Sequence, residues 1–198
     1  MASRGNSKAR TEILEMLKED HQRVKKAFKM AEKLHEQEDH EELQALVEQT
    51  CTEVEIHAQL EEELFYPAAR EALKEGDLID EAEVEHGSAK ALIAELQGIA
   101  SPDDPKYFAT FKVLGEYLKH HIKEEENELF EQLGGGRSKV QWEELQQQML
   151  TMRESLMAEK MGVEAEGEEP QAPRGASRSR SGGRGRTEQS ADREETVE

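Results

Sequence analysis

Cysteine is almost missing from this chain. Cys51 stands alone, so no intrachain disulfide can form and the fold does not rely on an oxidising compartment. Aromatic residues make up 5% of the 198 residues, too few for a sandwich or barrel, whereas 35% apolar residues rich in Leu, Ala and Met suffice for a helical bundle. No run of 18 apolar residues occurs, which excludes a transmembrane helix. The polar, basic stretch before Thr11 has no apolar segment of signal-peptide type. Positive charge is scarce as well: 26 Lys+Arg face 45 Asp+Glu, for a net charge of -19. Repulsion from phosphate would oppose every encounter with DNA. A soluble, cytoplasmic protein with no membrane and no DNA partner is expected.

Composition changes at Gly162. Residues 162–198 contain no Leu, Ile, Phe, Trp, Tyr or Met and carry the Arg/Gly/Ser stretch PRGASRSRSGGRGR (173–186). Such a segment cannot bury enough apolar area to offset chain entropy, so a disordered tail is expected there. Arg/Gly repeats can bind RNA, and a weak RNA or protein contact through the tail is one reading beside that of a solubilising tail. Residues 1–10 are expected to be a flexible N-terminus, and residues 11–133 to form the main domain. A further amphipathic helix is expected over 138–161, with Trp142, Leu145, Met149, Met152 and Leu156 on one stripe. The Met residues read as packing rather than as a copper site.

Within the domain the apolar spacing predicts four helices, Thr11–Glu38, His40–Lys74, Asp77–Gln97 and Pro105–Gln132. Thr11 is a plausible N-cap, and Pro67 should kink or shorten the second helix. Short connections make consecutive helices antiparallel neighbours. The predicted fold is therefore all-α, an up-down-up-down four-helix bundle with an extra C-terminal helix and the tail.

The apolar stripes carry the chemistry. They read Leu14, Leu17, His21, Val24, Phe28, Ala31 in the first helix and Leu43, Val47, Thr50, Val54, His57, Glu61, Leu64 in the second. The third reads Ile79, Ala82, His86, Lys90 or Ala89, Ile93, Leu96, and the fourth Phe111, Leu114, Leu118, His121, Glu125, Leu129. Each helix thus places one histidine inward, and two add a glutamate one turn later. A buried carboxylate or imidazole without a partner costs on the order of 2–7 kcal/mol. Six of them would exceed the roughly 5–15 kcal/mol stability of a domain, so something must compensate them together. Imidazole and carboxylate converging inside a bundle are ligands for first-row metals, and two carboxylates able to bridge suit two ions better than one. Cys51 reads as a small buried hydrophobe, and His35 and His40 as solvated residues of the first turn.

Four stretches, LKEDHQRVKKAF (17–28), EIHAQLEEELFYP (55–67), EVEHGSAKALIAEL (83–96) and HHIKEEENELF (120–130), resemble the hemerythrin-like cation-binding family, the HHE domain, over residues 11–133. The resemblance implies an antiparallel four-helix bundle around a non-heme pair of irons, oxo- or hydroxo-bridged. It implies that His21 and His57 bind one iron, His86 and His121 the other, and that Glu61 and Glu125 bridge them. Oxygen-carrying members have a second histidine four residues after the third-helix one, where this chain has Lys90. Their last bridging carboxylate lies five residues after its histidine, which makes Glu126 a rival to Glu125. His120 is a weaker rival to His121, because it lies roughly 100° off the inward stripe.

Two octahedral irons need about twelve positions, and the implied set leaves two of them for water, oxygen species or a further ligand. Glu83, Tyr107 and Tyr117 are the candidate substitutes, and Lys90 either points to water or neutralises buried carboxylates. The resemblance implies binding or sensing of oxygen, nitric oxide, peroxide or iron. A di-iron enzyme decomposing peroxide is the alternative, and a structural bundle displaying the Arg/Gly tail is the third reading.

Overall fold

A computed structural model describes residues 2–73, 76–134 and 140–162. Chain contacts divide the protein into residues 1–165 and 166–198, and the described residues all belong to the first unit. The tail expected over 162–198 lies, from Val163 onward, outside the described residues, as does the expected helix start at Ser138.

Five continuous helices and no strand make up the described residues. They are α1 (Ala2–Glu36), α2 (His40–Leu60) running on through a π-helical turn (Glu61–Phe65) into α3 (Tyr66–Ala72), and α4 (Asp77–Gln97). Next come α5 (Pro105–Glu124), which runs through a second π turn (Glu125–Leu129) into α6 (Phe130–Gly134), and finally α7 (Trp142–Met161). Asp39 caps α2 by accepting from the Glu42 N–H, and Asp104 caps α5 by accepting from Lys106 N–H ahead of Pro105.

The first helix corrects the expectation of a flexible N-terminus. It begins at Ala2 and not at Thr11, whose hydroxyl instead donates to the Ser7 carbonyl one turn back. The cause is long-range. Asn6 accepts from the Trp142 N–H at 2.6 Å and donates to the Val140 carbonyl at 2.9 Å, tying the first turns of α1 to the start of α7. Ala9 and Ile13 are buried in the same layer, and Ile13, not Leu14, is the fully buried residue at that level.

Pro67 does not shorten the helix, which passes through it without a break. The π turn widens the hydrogen-bond ladder immediately before the proline, so the missing N–H falls where the pattern is already shifted. The second π turn contains no proline, and both begin at a glutamate, Glu61 and Glu125.

Two apolar clusters fill the bundle. One contains Ile13, Leu17, Leu60, Phe65, Ile79, Leu129 and Phe130, closed by Trp142, Leu145 and Met149 of α7. The other contains Val24, Phe28, Val47, Val54, Ile93, Phe111, Leu114 and Leu118. On α1 and α4 a histidine stands at the boundary, His21 between Leu17 and Val24 and His86 between Ala82 and Ala89. Full burial of such side chains contributes about 1.5–3 kcal/mol each, which offsets the cost of a polar layer between them.

Among the described residues no helix is long and apolar enough to cross a membrane. His35 and His40 have partners: His35 stacks on Phe108 at 3.8 Å, and His40 Nδ1 lies 3.0 Å from Asp103. Cys51 is buried, and burial first, then Glu55 and Glu48, push its thiol up to about 12 from 9.0. The thiolate is the reacting form, so alkylation of Cys51 by iodoacetamide at pH 8 should run roughly a thousandfold slower in the folded protein than in urea. Equal rates, followed by mass spectrometry, would show an accessible thiol.

Candidate metal centre

His21, His57, His86 and His121 come together at the level where the two apolar clusters meet. All four are less than 9% exposed, and Glu61 and Glu125 beside them are at 0% and 3%. The Nε2 atoms point inward. His21 and His57 bring theirs within 3.1 Å of each other, and His86 and His121 within 3.2 Å. Glu61 lies between the pairs, with Oε1 3.2 Å from His57 Nε2 and Oε2 3.4 Å from His86 Nε2. Glu125 Oε2 lies 3.2 Å from His21 Nε2 and 3.9 Å from His121 Nε2.

Nitrogen and oxygen donors therefore form two overlapping groups, one of His21, His57, Glu61 and Glu125 and one of Glu61, His86 and His121. A third, half-exposed group, Glu85, His120 and Glu124, lies toward the surface beside His121. His120 is 60% exposed in its side chain, against 4% for His121.

The outward nitrogens of the four rings are all engaged. His57 Nδ1 lies 3.2 Å from Asp20, His86 Nδ1 3.0 Å from Glu62, His121 Nδ1 2.9 Å from Glu85, and His21 Nδ1 2.9 Å from Glu126. Each helix thus supports the histidine of the next: α1 holds α2, α2 with its π turn holds α4, α4 holds α5, and the π turn after α5 holds α1. A carboxylate on Nδ1 favours the N–H at that position and leaves the Nε2 lone pair turned inward. Each support also meets a basic side chain: Asp20 pairs with Arg23 and Arg153, Glu62 with Lys90, Glu126 with Lys25, and Glu85 with His120.

This arrangement meets the test for a cation. Two inward-facing carboxylates share one buried point, where like charges are unfavourable. Glu61 Oε1 and both oxygens of Glu125 are buried without a hydrogen-bond partner. Orphaned buried carboxylates of this kind are costly unless a positive ion joins them. Burial works against charge on all four rings and prevails at His21 and His86, where neighbouring histidines add to it. At His57 burial is overridden by Glu61 and Asp20, and at His121 by Glu85 and Glu125. Burial, then the charge of Glu61, pushes the Glu125 carboxyl up. The donor set of imidazole and carboxylate suits iron and other first-row metals.

The residues weighed as rivals or substitutes sit elsewhere. Glu126 is on the outer side of His21, paired with Lys25. Lys90 places its ammonium 2.6 and 2.7 Å from the two oxygens of Glu62, away from the inward nitrogens. Glu83 pairs with Arg70, Tyr117 is half exposed, and Tyr107 belongs to the second apolar cluster. The tyrosine at the centre is Tyr66, fully buried, whose hydroxyl lies 3.4 Å from both Glu61 Oε2 and His86 Nε2. Burial first, then the charges of Glu61 and Glu125, hold its phenol far above the usual value, so it stays a proton donor.

Sequence reading missed Tyr66 and the four supports. The signal for the supports was present: Asp20 precedes His21, Glu62 follows Glu61, Glu85 precedes His86, and Glu126 follows Glu125. A neighbour in sequence is turned 100° around the helix, off the inward stripe and toward the adjacent helix.

Comparison with known proteins agrees with this geometry. The family described as the hemerythrin HHE cation binding domain matches residues 12–133. A curated protein from Nostoc sp., described as a DNA nickase, is 26% identical over 165 residues. The match takes in 83% of this chain but 45% of that relative, so the chain spans about half of its length. No solved structure matches. With its metal-type donors at the core of a helical bundle and the family match covering most of the described bundle, the chain belongs to the hemerythrin HHE cation-binding domain family.

Proposed function

We propose that the protein is a non-heme di-iron protein that binds or senses a small diatomic molecule, oxygen or nitric oxide, or peroxide. The observation that carries the reading is the pair of shared glutamates, buried and short of hydrogen-bond partners, each facing a histidine nitrogen of both pairs. His21 and His57 would hold one iron and His86 and His121 the other, with Glu61 and Glu125 spanning them. Two irons there would supply redox capacity and positions for an external ligand.

The chain's own residues set what reaches that point. The four supporting carboxylates fix the ring orientations, and Tyr66 presents a neutral hydroxyl to Glu61. A cavity of about 20 Å³ adjoins the histidines, walled by Val24, Val54, Ala58, Ala89, Ile93 and Leu118 among others. Room for little more than one water-sized molecule, behind apolar walls, favours an uncharged diatomic ligand over a larger substrate.

An antiparallel up-down-up-down course supports this reading. One apolar cluster takes the N-terminal parts of α1 and α4 and the C-terminal end of α2, together with the π turn and α6 that follow α5. The supports agree, lying one residue before the inward side chain on α1 and α4 and one residue after it beyond α2 and α5. Reversing a helix reverses the sense of that 100° step, so all four point the same way around the bundle.

The tests are iron content by elemental analysis and the optical response of the iron-loaded protein to oxygen and nitric oxide. Fewer than two irons per chain would overturn the di-iron assignment. Ala89→Leu puts three further carbons into the cavity and replaces no proposed ligand, and should retain iron while slowing nitric oxide binding at least about tenfold, at an overpacking cost of about 1–3 kcal/mol. An unchanged on-rate would mean that ligands arrive by another route. Steady-state oxygen evolution from peroxide, normalised to iron, would favour the enzymatic alternative. The nicking activity by which the Nostoc sp. relative is described is not proposed for this chain, whose charge of -19 opposes approach to DNA.

A further inference from the structure

The four supports differ in one respect. Glu62, Glu85 and Glu126 meet basic residues of the bundle itself, and Lys90, His120 and Lys25 are 45%, 60% and 31% exposed in their side chains. Asp20 is the most enclosed of the four, 5% exposed, and one of its two arginines comes from α7. That arginine, Arg153, is 17% exposed against 46% for Arg23, and α7 lies beyond the matched domain, which ends at residue 133. Asp20 divides its oxygens between the two roles, Oδ1 receiving Arg23 and Arg153 and Oδ2 receiving His57 Nδ1 at 3.2 Å.

We propose that Arg153 is a positioning residue for His57: through Asp20 it fixes the imidazole facing Glu61, so that α7, a helix outside the family domain, sets the metal affinity of the His21–His57 half of the centre. The inference rests on the di-metal reading above. Its physical basis is the enclosure of Asp20. A carboxylate this buried holds its charge only while cations and N–H donors face it. Arg23, being more exposed and also engaged with Glu53 at 3.5 Å, is the weaker of the two holds. If Arg153 is lost, Asp20 is free to turn toward Arg23 and water, and the His57 ring loses its fixed tautomer and plane. Changes in such outer partners typically lower metal affinity about 10–100-fold.

The half-site selectivity is the distinctive expectation. The supports of His86 and His121, Glu62 and Glu85, have no partner on α7 among their described contacts. α7 is also fastened elsewhere, by Lys160 to Glu55 at 2.8 Å and by Gln146 to Glu12 at 3.1 Å. These fastenings provide a control that disturbs docking without touching Asp20.

The experiment uses the full chain and four proteins: parent, Arg153→Gln, Arg153→Lys and Gln146→Ala. Cobalt(II) is titrated against a chelator and followed optically. Histidine side-chain nitrogens are read by NMR in metal-free protein. The parent should bind two equivalents. Arg153→Gln should weaken one of them about 10–100-fold, leave the other within threefold, and replace the sharp His57 Nδ1–H signal by an averaged one. Arg153→Lys should recover most of the affinity, and Gln146→Ala should match the parent. Parent-like affinity for both equivalents with an unmoved His57 signal in Arg153→Gln would overturn the proposal. So would an equal loss in Gln146→Ala, which would assign the effect to docking of α7. A parent that binds no cobalt defeats the di-metal reading instead, and the His57 signal then still decides whether Arg153 positions that ring.

Discussion

Glu61→Gln is expected to melt below the parent in iron and at or above the parent in chelator. In iron the parent should melt higher. A ligand present at a thousand times its Kd stabilises the native state by about 4 kcal/mol. For a chain of this size that raises the melting temperature by about 8–16 °C. The variant keeps the side-chain volume but removes the charge shared between His57 and His86, so it should lose at least one metal and most of that gain. In chelator the expectation changes sign. Glu61 is then a fully buried carboxylate with one oxygen lacking a hydrogen-bond partner. Replacing it with a neutral amide removes a cost of about 1–3 kcal/mol, so the variant should melt at or above the parent. Differential scanning calorimetry with and without chelator, beside elemental analysis, measures both arms. Two irons retained in the variant, or a parent whose melting temperature ignores the chelator, would refute the placement of metal at Glu61.

How far the sequence could be read depends on the range of the interaction involved. Inward positions were legible because they repeat every three or four residues within one helix. His21, His57, His86 and His121 each fall on such a stripe, and the family resemblance added an order to them. The start of α1 was not legible, because residues 2–10 are helical through their contact with α7, as the Asn6 bonds to Val140 and Trp142 show. Periodicity over a window of residues has no access to a partner more than 130 positions away. Tyr66 was missed for a related reason. An ideal helix turns 500° over the five residues from Glu61 to Tyr66, which would carry the tyrosine some 140° around from the glutamate. The π turn shortens that rotation and returns Tyr66 to the face of Glu61. Of the carboxylates one residue from a ligand, Glu126 reads as a rival ligand and the others carry no inward signal, and only the position of the next helix turns all four into supports.

Under the di-iron reading proposed above, Tyr66 and not Lys90 is the side chain that faces the side of the centre next to His86. Oxygen carriers of the resembling family have a histidine where this chain has Lys90. Lys90 instead extends to Glu62 on the outer side of His86, while the Tyr66 hydroxyl stands on the inner side, 3.4 Å from His86 Nε2. Lys90→His should therefore leave the affinity of the iron-loaded protein for azide within threefold of the parent. Tyr66→Phe should act at the centre itself. Phenylalanine preserves the ring contacts with Phe65 and His86, at 6.0 and 5.6 Å, so the fold should be retained at a cost of about 0.5–1.5 kcal/mol for the lost hydrogen bond. The proton donor beside Glu61 is lost, and the space its oxygen filled is opened. An anion that competes with the hydroxyl for that side should then bind about tenfold more tightly, the equivalent of one hydrogen bond no longer displaced. Peroxide consumption per iron should rise in the same proportion. Optical azide titrations and stopped-flow peroxide traces, on proteins matched for iron content, give the answer. If Tyr66→Phe shows parent-like azide affinity while Lys90→His raises it, the opening lies on the Lys90 side after all and the role assigned to Tyr66 is wrong.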